Sequence, residues 1–342
     1  MNAAWIKTTA QELGFHLVGI ASAERPPEAD FLQEWLRKGF AGEMTYLSRN
    51  VEKREHPRLL FPPARSIIVC GLSYHSRTDE TERISPQPIG QISRYARGAD
   101  YHHVLKEKLF ALLHLMQADT PRPIVAKVCV DTAPLLERAC AKSAGLGWIG
   151  KHGGVINPRY GSWCFLGEIL VDFECEYDTP MKDGCGACTR CLDACPTGAL
   201  IAPYTLDARK CLSYLTIEHR GVIPETLRPA LGNCVFGCDR CQEVCPYNQQ
   251  ADAPGLAEFL PRESLKHLSL EWLATLSEHD FPHIFADSPI LRTGWRGLLR
   301  NTAVAIGNSH DRDLLPVLRQ LSRSPESLIR EHAEWGMTRL LS

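Results

Sequence analysis

Seven of the fourteen cysteines in this 342-residue chain fall in two closely spaced runs. Cys185, Cys188, Cys191 and Cys195, followed by Pro196, have the spacing C-x2-C-x2-C-x3-C-P. Cys238, Cys241 and Cys245, followed by Pro246, repeat the last three cysteines of that pattern. Thiolates two residues apart on a tight loop each take one corner of a 4Fe–4S cubane. In two-cluster proteins the fourth cysteine, turned away by the proline, ligates the other cluster. One cluster is therefore assigned to Cys185, Cys188, Cys191 and Cys245. Cys195, Cys238 and Cys241 begin a second, whose usual fourth position holds Val235. Cys234 and Cys211 are both available, and spacing does not choose between them. Zinc favours isolated C-x2-C pairs and disulfides need an oxidising compartment, so two 4Fe–4S clusters are the better reading.

Upstream, proton donors and acceptors collect in loops. Residues 93–103 hold Ser93, Arg94, Tyr95, Arg97, Asp100, Tyr101, His102 and His103 just before a helical pattern. Tyrosine, histidine and aspartate each transfer protons near neutral pH when their surroundings tune them. Asp131 follows an apolar run at 124–130. Two readings fit it: a helix N-cap, or an acid at a strand end. Residues 145–162 carry six glycines. That density lets backbone approach a large flat or phosphate-bearing ligand, although a long structural loop has the same composition. It is neither a Rossmann fingerprint nor a P-loop. Gly145 and Gly147 follow a helix, and Lys151 lacks the upstream glycine spacing and the following Ser or Thr.

These groups need a scaffold. Helices are predicted at 3–13, 30–38, 101–117 and 134–144, the first two stopped by Gly14 and Gly39. Strands are predicted at 16–21, 66–74, 124–130 and 163–173. Such alternation implies a sheet covered by helices, with ligands beyond strand C-terminal ends, where Asp131 falls. The expected architecture is mixed, α+β or α/β, in three regions. An α/β region spans 1–175, a ferredoxin-like dicluster region 176–250, and an α-helical, HEAT-like tail 251–342. The tail expectation rests on Leu299-Arg300-Asn-Thr-Ala303, which recurs as Ile329-Arg330-Glu-His-Ala333, with Gly307 and Gly336 read as closing each unit.

Composition sets outer limits. Hydrophobic content of 44% and charged content of 23% are ordinary for a soluble globular protein. No apolar run approaches the ~20 residues that cross a bilayer, so no membrane role is expected. Residues 1–7 lack the apolar core of a signal peptide, and fourteen cysteines without one fit the reducing cytoplasm. A net charge of −2 argues against a chain-wide polyanion-binding surface and leaves only a local footprint for nucleic acid. From Asp287 onward, arginines 292, 296, 300, 312, 319, 323, 330 and 339 outnumber six acidic residues. They form a basic stripe if one helix face carries them, and an ordinary solvated surface otherwise.

The combined motifs resemble the epoxyqueuosine reductase family across nearly the whole chain. The resemblance is carried by Arg94-Tyr95, Asp100-Tyr101-His102, Val130-Asp131-Thr-Ala-Pro134 and Leu146-Gly147-Trp148-Ile149-Gly150-Lys151. The dicluster cysteines, Arg300-Asn301 and Gly307-Asn308 complete it. Many proteins share the cysteine pattern; its combination with the upstream motifs is specific. The resemblance implies reduction of epoxyqueuosine to queuosine at the wobble position of tRNA. It implies cobalamin in the α/β region beside the nearer cluster, with Arg54, Ser93, Arg138, Gly150, Lys151, Asn157 and Ser162 as contacts. The sequence has no D-x-H-x-x-G motif, because His103, Val104 and Leu105 follow Asp100-Tyr101-His102, so cobalamin is expected base-off. The resemblance further implies Cys211 as the missing cluster ligand, leaving Cys234 free.

Under this resemblance an external single-electron donor feeds the clusters, which reduce cobalt. The epoxide oxygen leaves as water, whether or not cobalt bonds the substrate carbon. Asp131 is the implied general acid, for which a dry site has to raise its pKa. Tyr101 and His102 deliver protons or orient the substrate. The wobble base is already single-stranded, so extruding it costs little, and arginine–phosphate contacts make binding salt-sensitive. A monomer is expected. Other classes fit fewer features. A reductive dehalogenase-like enzyme explains the cofactors but not the tail. A dicluster electron carrier leaves the α/β region unexplained, and an RNA-binding scaffold leaves Asp131 and the glycine loop idle.

Overall fold

The computed structural model describes residues 1–77, 88–266 and 268–342. Its central sheet has four strands: β1 (Leu17–Ser22), β2 (Ser66–Ser73), β3 (Ala126–Cys129) and β4 (Cys164–Val171). They lie in the order β1-β2-β4-β3, and all three ladders are antiparallel. The helix-covered sheet is present, and its ladders place it on the α+β side of the expectation. Strands running both ways leave no common C-terminal edge for ligands. Direction was not readable because strands covered on both faces are continuous apolar runs in either orientation. All eight positions of β2 are buried.

Helices cover both faces. α1 (Ala3–Glu12) and α3 (Tyr101–Ala118) pack Ile6, Ala10, Leu105, Leu109, Leu112 and Met116 against Ile20, Ile68, Leu72 and Ile169. α2 (Glu28–Arg37) buries only Ala29. α4 (Glu137–Ser143) covers the other face, with Cys140 and Ala141 against Val69, Cys129 and Leu170. Helices as short as α1, α2 and α4 are marginal alone, and each fully buried aliphatic side chain contributes roughly 1.5–3 kcal/mol, so the sheet holds them in place.

The tail contains α5 (Gly294–Asn308), α6 (Leu315–Leu321) and α7 (Ser327–Leu341). Gly307 and Gly336 do not close repeat units. Both lie inside helices, and a Cβ on Gly307 would sit 2.7 Å from the Gly336 Cα. They let α5 and α7 cross closely. The tail core also takes in Ile92, Ala96, Val235 and Phe236. Buried Arg300 donates to the Leu215, His219 and Gly221 carbonyls, and Asn301 to those of Thr216 and Val235. These bonds tie the tail to the cysteine-bearing segment. Among the described residues no helix is long and apolar enough to cross a membrane.

Candidate active site and cluster-binding segment

The cysteines line two cavities. A cavity of about 370 Å³ is lined by Cys185, Cys188, Cys191 and Cys245. A second, of about 330 Å³, is lined by Cys195, Cys211, Cys238 and Cys241. Charge on Cys185 and Cys188 reaches both Cys191 and Cys245, and Cys238 lies within similar reach of Cys211 and Cys241. Cys211 caps the short helix Leu212–Ile217. Cys234 is buried in the strand Cys234–Phe236, beside Cys238, with its thiol 3.6 Å from Gln91 Oε1. It is absent from the second cavity's lining.

Three of the seven expected cofactor contacts, Arg138, Asn157 and Ser162, line the second cavity. Arg138 donates to the Gly153 carbonyl at 2.8 Å, Asn157 donates to that of Leu146 at 2.7 Å, and the Ser162 hydroxyl accepts from Gln242 and Asn248. The other four lie elsewhere. Lys151 donates to the Gly186 and Cys188 carbonyls at 2.6 and 2.9 Å, so it braces the first cysteine loop. Gly150 makes room for the Ile156 side chain in a hairpin between Trp148–Ile149 and Val155–Ile156. Ser93 is buried beside Asp239, and Arg54 donates to the Tyr46 carbonyl at 3.3 Å.

The second cavity's wall fits an amide-fringed macrocycle such as a corrin. His152 Nδ1 accepts from the Gly154 amide at 3.1 Å, which places the ring hydrogen on Nε2. That Nε2 is shielded from solvent and without a partner among the described residues. Burial, then Arg138, lowers the His152 pKa to about 4, so the ring is neutral. His152 therefore offers a hydrogen to a carbonyl on the rim of such a ring. Arg138, Gln242, Gly154 and Gly161 complete the wall.

A proton-handling group forms where α3 begins. Asp100 is its N-cap: Oδ1 accepts from the His102 amide at 2.9 Å and lies 2.7 Å from His102 Nδ1. His102 Nε2 is 3.2 Å from Asp131 Oδ2. Tyr101 stacks on His102 and Phe165 with centroids 4.2 and 4.3 Å apart. Asp131 follows β3 in the left-handed region, at φ 54°, which Asp tolerates better than most residues. Its amide donates to Glu137 Oε1. Asp131 is not a helix cap, because α4 begins after Leu136.

The titration pattern reverses one expectation. Burial opposes charge on His102, but the hydrogen bonds to Asp100 and Asp131 outweigh it and raise the pKa to about 9. The same bond from His102 holds Asp131 below the usual carboxylate range, against burial. No dry site protonates Asp131. Its side chain is 56% exposed and faces a cationic ring, so the proton resides on His102. Burial, then the Asp131 charge, keeps the Tyr101 phenol neutral.

Sequence reasoning missed Glu137, Glu168 and His152. Glu168 carried a signal: it is the one charged residue in the otherwise apolar β4, Cys164–Val171. Of the tail arginines, Arg300 is fully buried and Arg292 and Arg296 pair with Glu218 and Glu326, whereas Arg312, Arg319, Arg323 and Arg339 are exposed.

Two cavities, each lined by four cysteines, mark the class of a dicluster iron–sulfur protein. The family model for a 4Fe–4S double cluster binding domain matches residues 184–248, and the model described as epoxyqueuosine reductase QueG, DUF1730, matches residues 54–132. The epoxyqueuosine reductase of Xanthomonas campestris pv. campestris is 42% identical over 98% of this chain and 95% of its own length. That of Pseudomonas aeruginosa is 43% identical over 98% and 93%. A crystal structure of an epoxyqueuosine reductase with a tRNA-Tyr epoxyqueuosine-modified stem loop superposes with TM-score 0.92 at 34% identity, covering 98% of this chain and 89% of that one. A Bacillus subtilis epoxyqueuosine reductase, solved with its catalytic aspartate loop swung out of the active site, gives 0.90 at 32%, covering 98% and 90%. The chain belongs to the epoxyqueuosine reductase family.

Proposed function

We propose that this chain reduces epoxyqueuosine to queuosine at the wobble position of a tRNA anticodon loop. The observation that carries this reading is the likeness, over 98% of the chain, to an enzyme held with an epoxyqueuosine-modified stem loop. In this reading residues 1–175 hold base-off cobalamin, 176–250 hold two 4Fe–4S clusters and 251–342 receive the tRNA. The protein works as a monomer in the cytoplasm. Cys185, Cys188, Cys191 and Cys245 bind one cluster. Cys195, Cys211, Cys238 and Cys241 bind the other, Cys211 being preferred to Cys234 because it lines the shared cavity. Arg138, His152, Asn157 and Ser162 hold the corrin.

When bound, these cofactors supply two electrons, delivered singly by an external donor, for opening the epoxide. The chain's own residues manage the protons. Loss of the epoxide oxygen as water consumes two. His102, charged at pH 7, holds one between Asp100 and Asp131. Asp131 presents its open side to the substrate and passes that proton from His102 Nε2. Tyr101, packed between rings, fixes the imidazole plane. Exposed Arg312, Arg319, Arg323 and Arg339 are the tail's candidate phosphate contacts.

The test is anaerobic. The full chain is loaded with iron, sulfide and cobalamin, given a strong reductant and a modified stem loop, and its nucleosides are digested and weighed. The expected outcome is loss of one oxygen atom from the base. It depends on cobalamin and is abolished by Asp131→Asn, which retains cobalamin. No loss, with clusters and cobalamin shown to be loaded and reducible, overturns the reading.

A further inference from the structure

Glu168 sits at the centre of β4, opposite Val69 of β2 and Cys129 of β3. It is 0% exposed, and neither carboxyl oxygen has a hydrogen-bond partner among the described residues. Glutamate is almost never fully buried without a partner, because a lone charge in a dry interior is strongly disfavoured. Its face of the sheet is covered by α4, whose first residue is Glu137. Glu137 in turn accepts the backbone N–H of Asp131. Two carboxyl groups thus lead from the sheet interior to the loop that carries Asp131.

We propose that Glu168 and Glu137 form a proton store behind Asp131, and that this store supplies the second proton consumed by epoxide reduction. The inference rests on the function proposed above. Neither glutamate touches substrate; both act through Asp131. The groups facing Glu168 are Glu137, Asp131 and the thiols of Cys70, Cys129 and Cys140. None is a cation, so burial, then Glu137 and Asp131, drive its pKa well up and leave it protonated. Glu137 faces Asp131, Arg138, His102, Arg54 and Tyr101, and burial followed by the Asp131 charge raises it to about 8. A group near 8 exchanges protons at working pH, and the deeper one behind it holds a reserve.

The reaction then balances. Two C–O bonds break, one C=C π bond and two O–H bonds form, and two electrons arrive from the external one-electron donor. The first proton comes from His102 through Asp131. The second is drawn from the Glu168 and Glu137 pair into the Asp131 site, and solvent reaching the exposed Asp131 refills the pair.

The test uses the full chain loaded with clusters and cobalamin. Infrared difference spectra in water and deuterium oxide read the C=O stretch of protonated carboxyls. Glu168→Gln keeps the shape without a transferable proton, and Glu168→Met removes the buried polar group. The store predicts a protonated-carboxyl band at pH 8 that Glu168→Gln removes. It predicts kcat at least tenfold lower in both variants, an unchanged KM for the stem loop, a deficit that widens from pH 6 to 9, and a Tm no lower than that of the parent. A purely structural Glu168 would move Tm and leave the pH profile alone. Loss of no band, or a kcat within twofold of the parent across that range, overturns the inference. A parent chain inactive on the stem loop overturns the proposed function instead, and the band alone then decides whether the store exists.

Discussion

His102 lies between two carboxylates, and that placement decides which group carries the proton. Its folded pKa of about 9 stands above the ordinary 6.5. The stabilising contribution of the His102 cation is fully present below pH 6.5 and is lost as pH rises through 9. If His102 is the proton source, kcat/KM falls along the same alkaline limb. Asp100→Asn removes one negative partner at 2.7 Å, and the limb is expected to move down by about one pH unit or more. A pH–rate profile of this variant checks the assignment, and an unmoved limb would hand the titration to another group. The sequence displayed Asp100, Tyr101, His102 and Asp131 as residue types able to move protons. It did not display their pairing, because 29 positions separate His102 from Asp131 and a left-handed turn aims the latter. Lys151 shows the same gap: its charge and position near the glycine loop are visible, but its bonds to the Gly186 and Cys188 carbonyls are long-range facts.

Among elements, the predicted strands and helices sit close to their predicted positions, because apolar periodicity and glycine stops are local. What failed was whatever needed a partner element. Gly307 and Gly336 looked like helix stops because a capping glycine and a crossing glycine have the same letter. In the fold they let two 15-residue helices touch along backbone. A Cβ at Gly307 meets Gly336 at 2.7 Å, and a backbone atom cannot move aside as the end of a flexible side chain can. Gly307→Ala is therefore expected to cost about 1–3 kcal/mol despite alanine's higher helix propensity. Urea unfolding would read this as a lower midpoint at unchanged slope. An unchanged or raised midpoint would mean that α5 and α7 separate without loss.

At the scale of the whole molecule, the tail is joined to the cysteine segment by buried polar groups, and one of them titrates. His332 of α7 is fully buried; its Nε2 accepts the Ile223 amide at 3.1 Å, and its Nδ1 donates to the Leu328 carbonyl at 2.7 Å. Both bonds require the neutral ring. Burial lowers its pKa to about 3. Between pH 6.5 and 3 the unfolded chain therefore binds a proton that the folded chain excludes. Stability is full above pH 6.5 and declines below it, by about 1.4 kcal/mol per pH unit from this one group. Unfolding free energies measured at pH 7.5, 5.5 and 4.5 should be level at the upper end and show that slope between the lower two, and His332→Gln should reduce it while lowering stability at pH 7.5. A slope surviving intact in the variant would place the acid sensitivity elsewhere. Arg300 and Asn301 bond to carbonyls of residues 215–221 and 235 in the same seam, close to Cys211 and Cys238 in sequence. Acid that charges His332 therefore acts on the joint between the tail and the cluster-binding loops. Cluster absorbance in the loaded protein is expected to be lost over the same pH range in which the tail loosens, and retention of the clusters after the tail has melted would show that the two are not coupled.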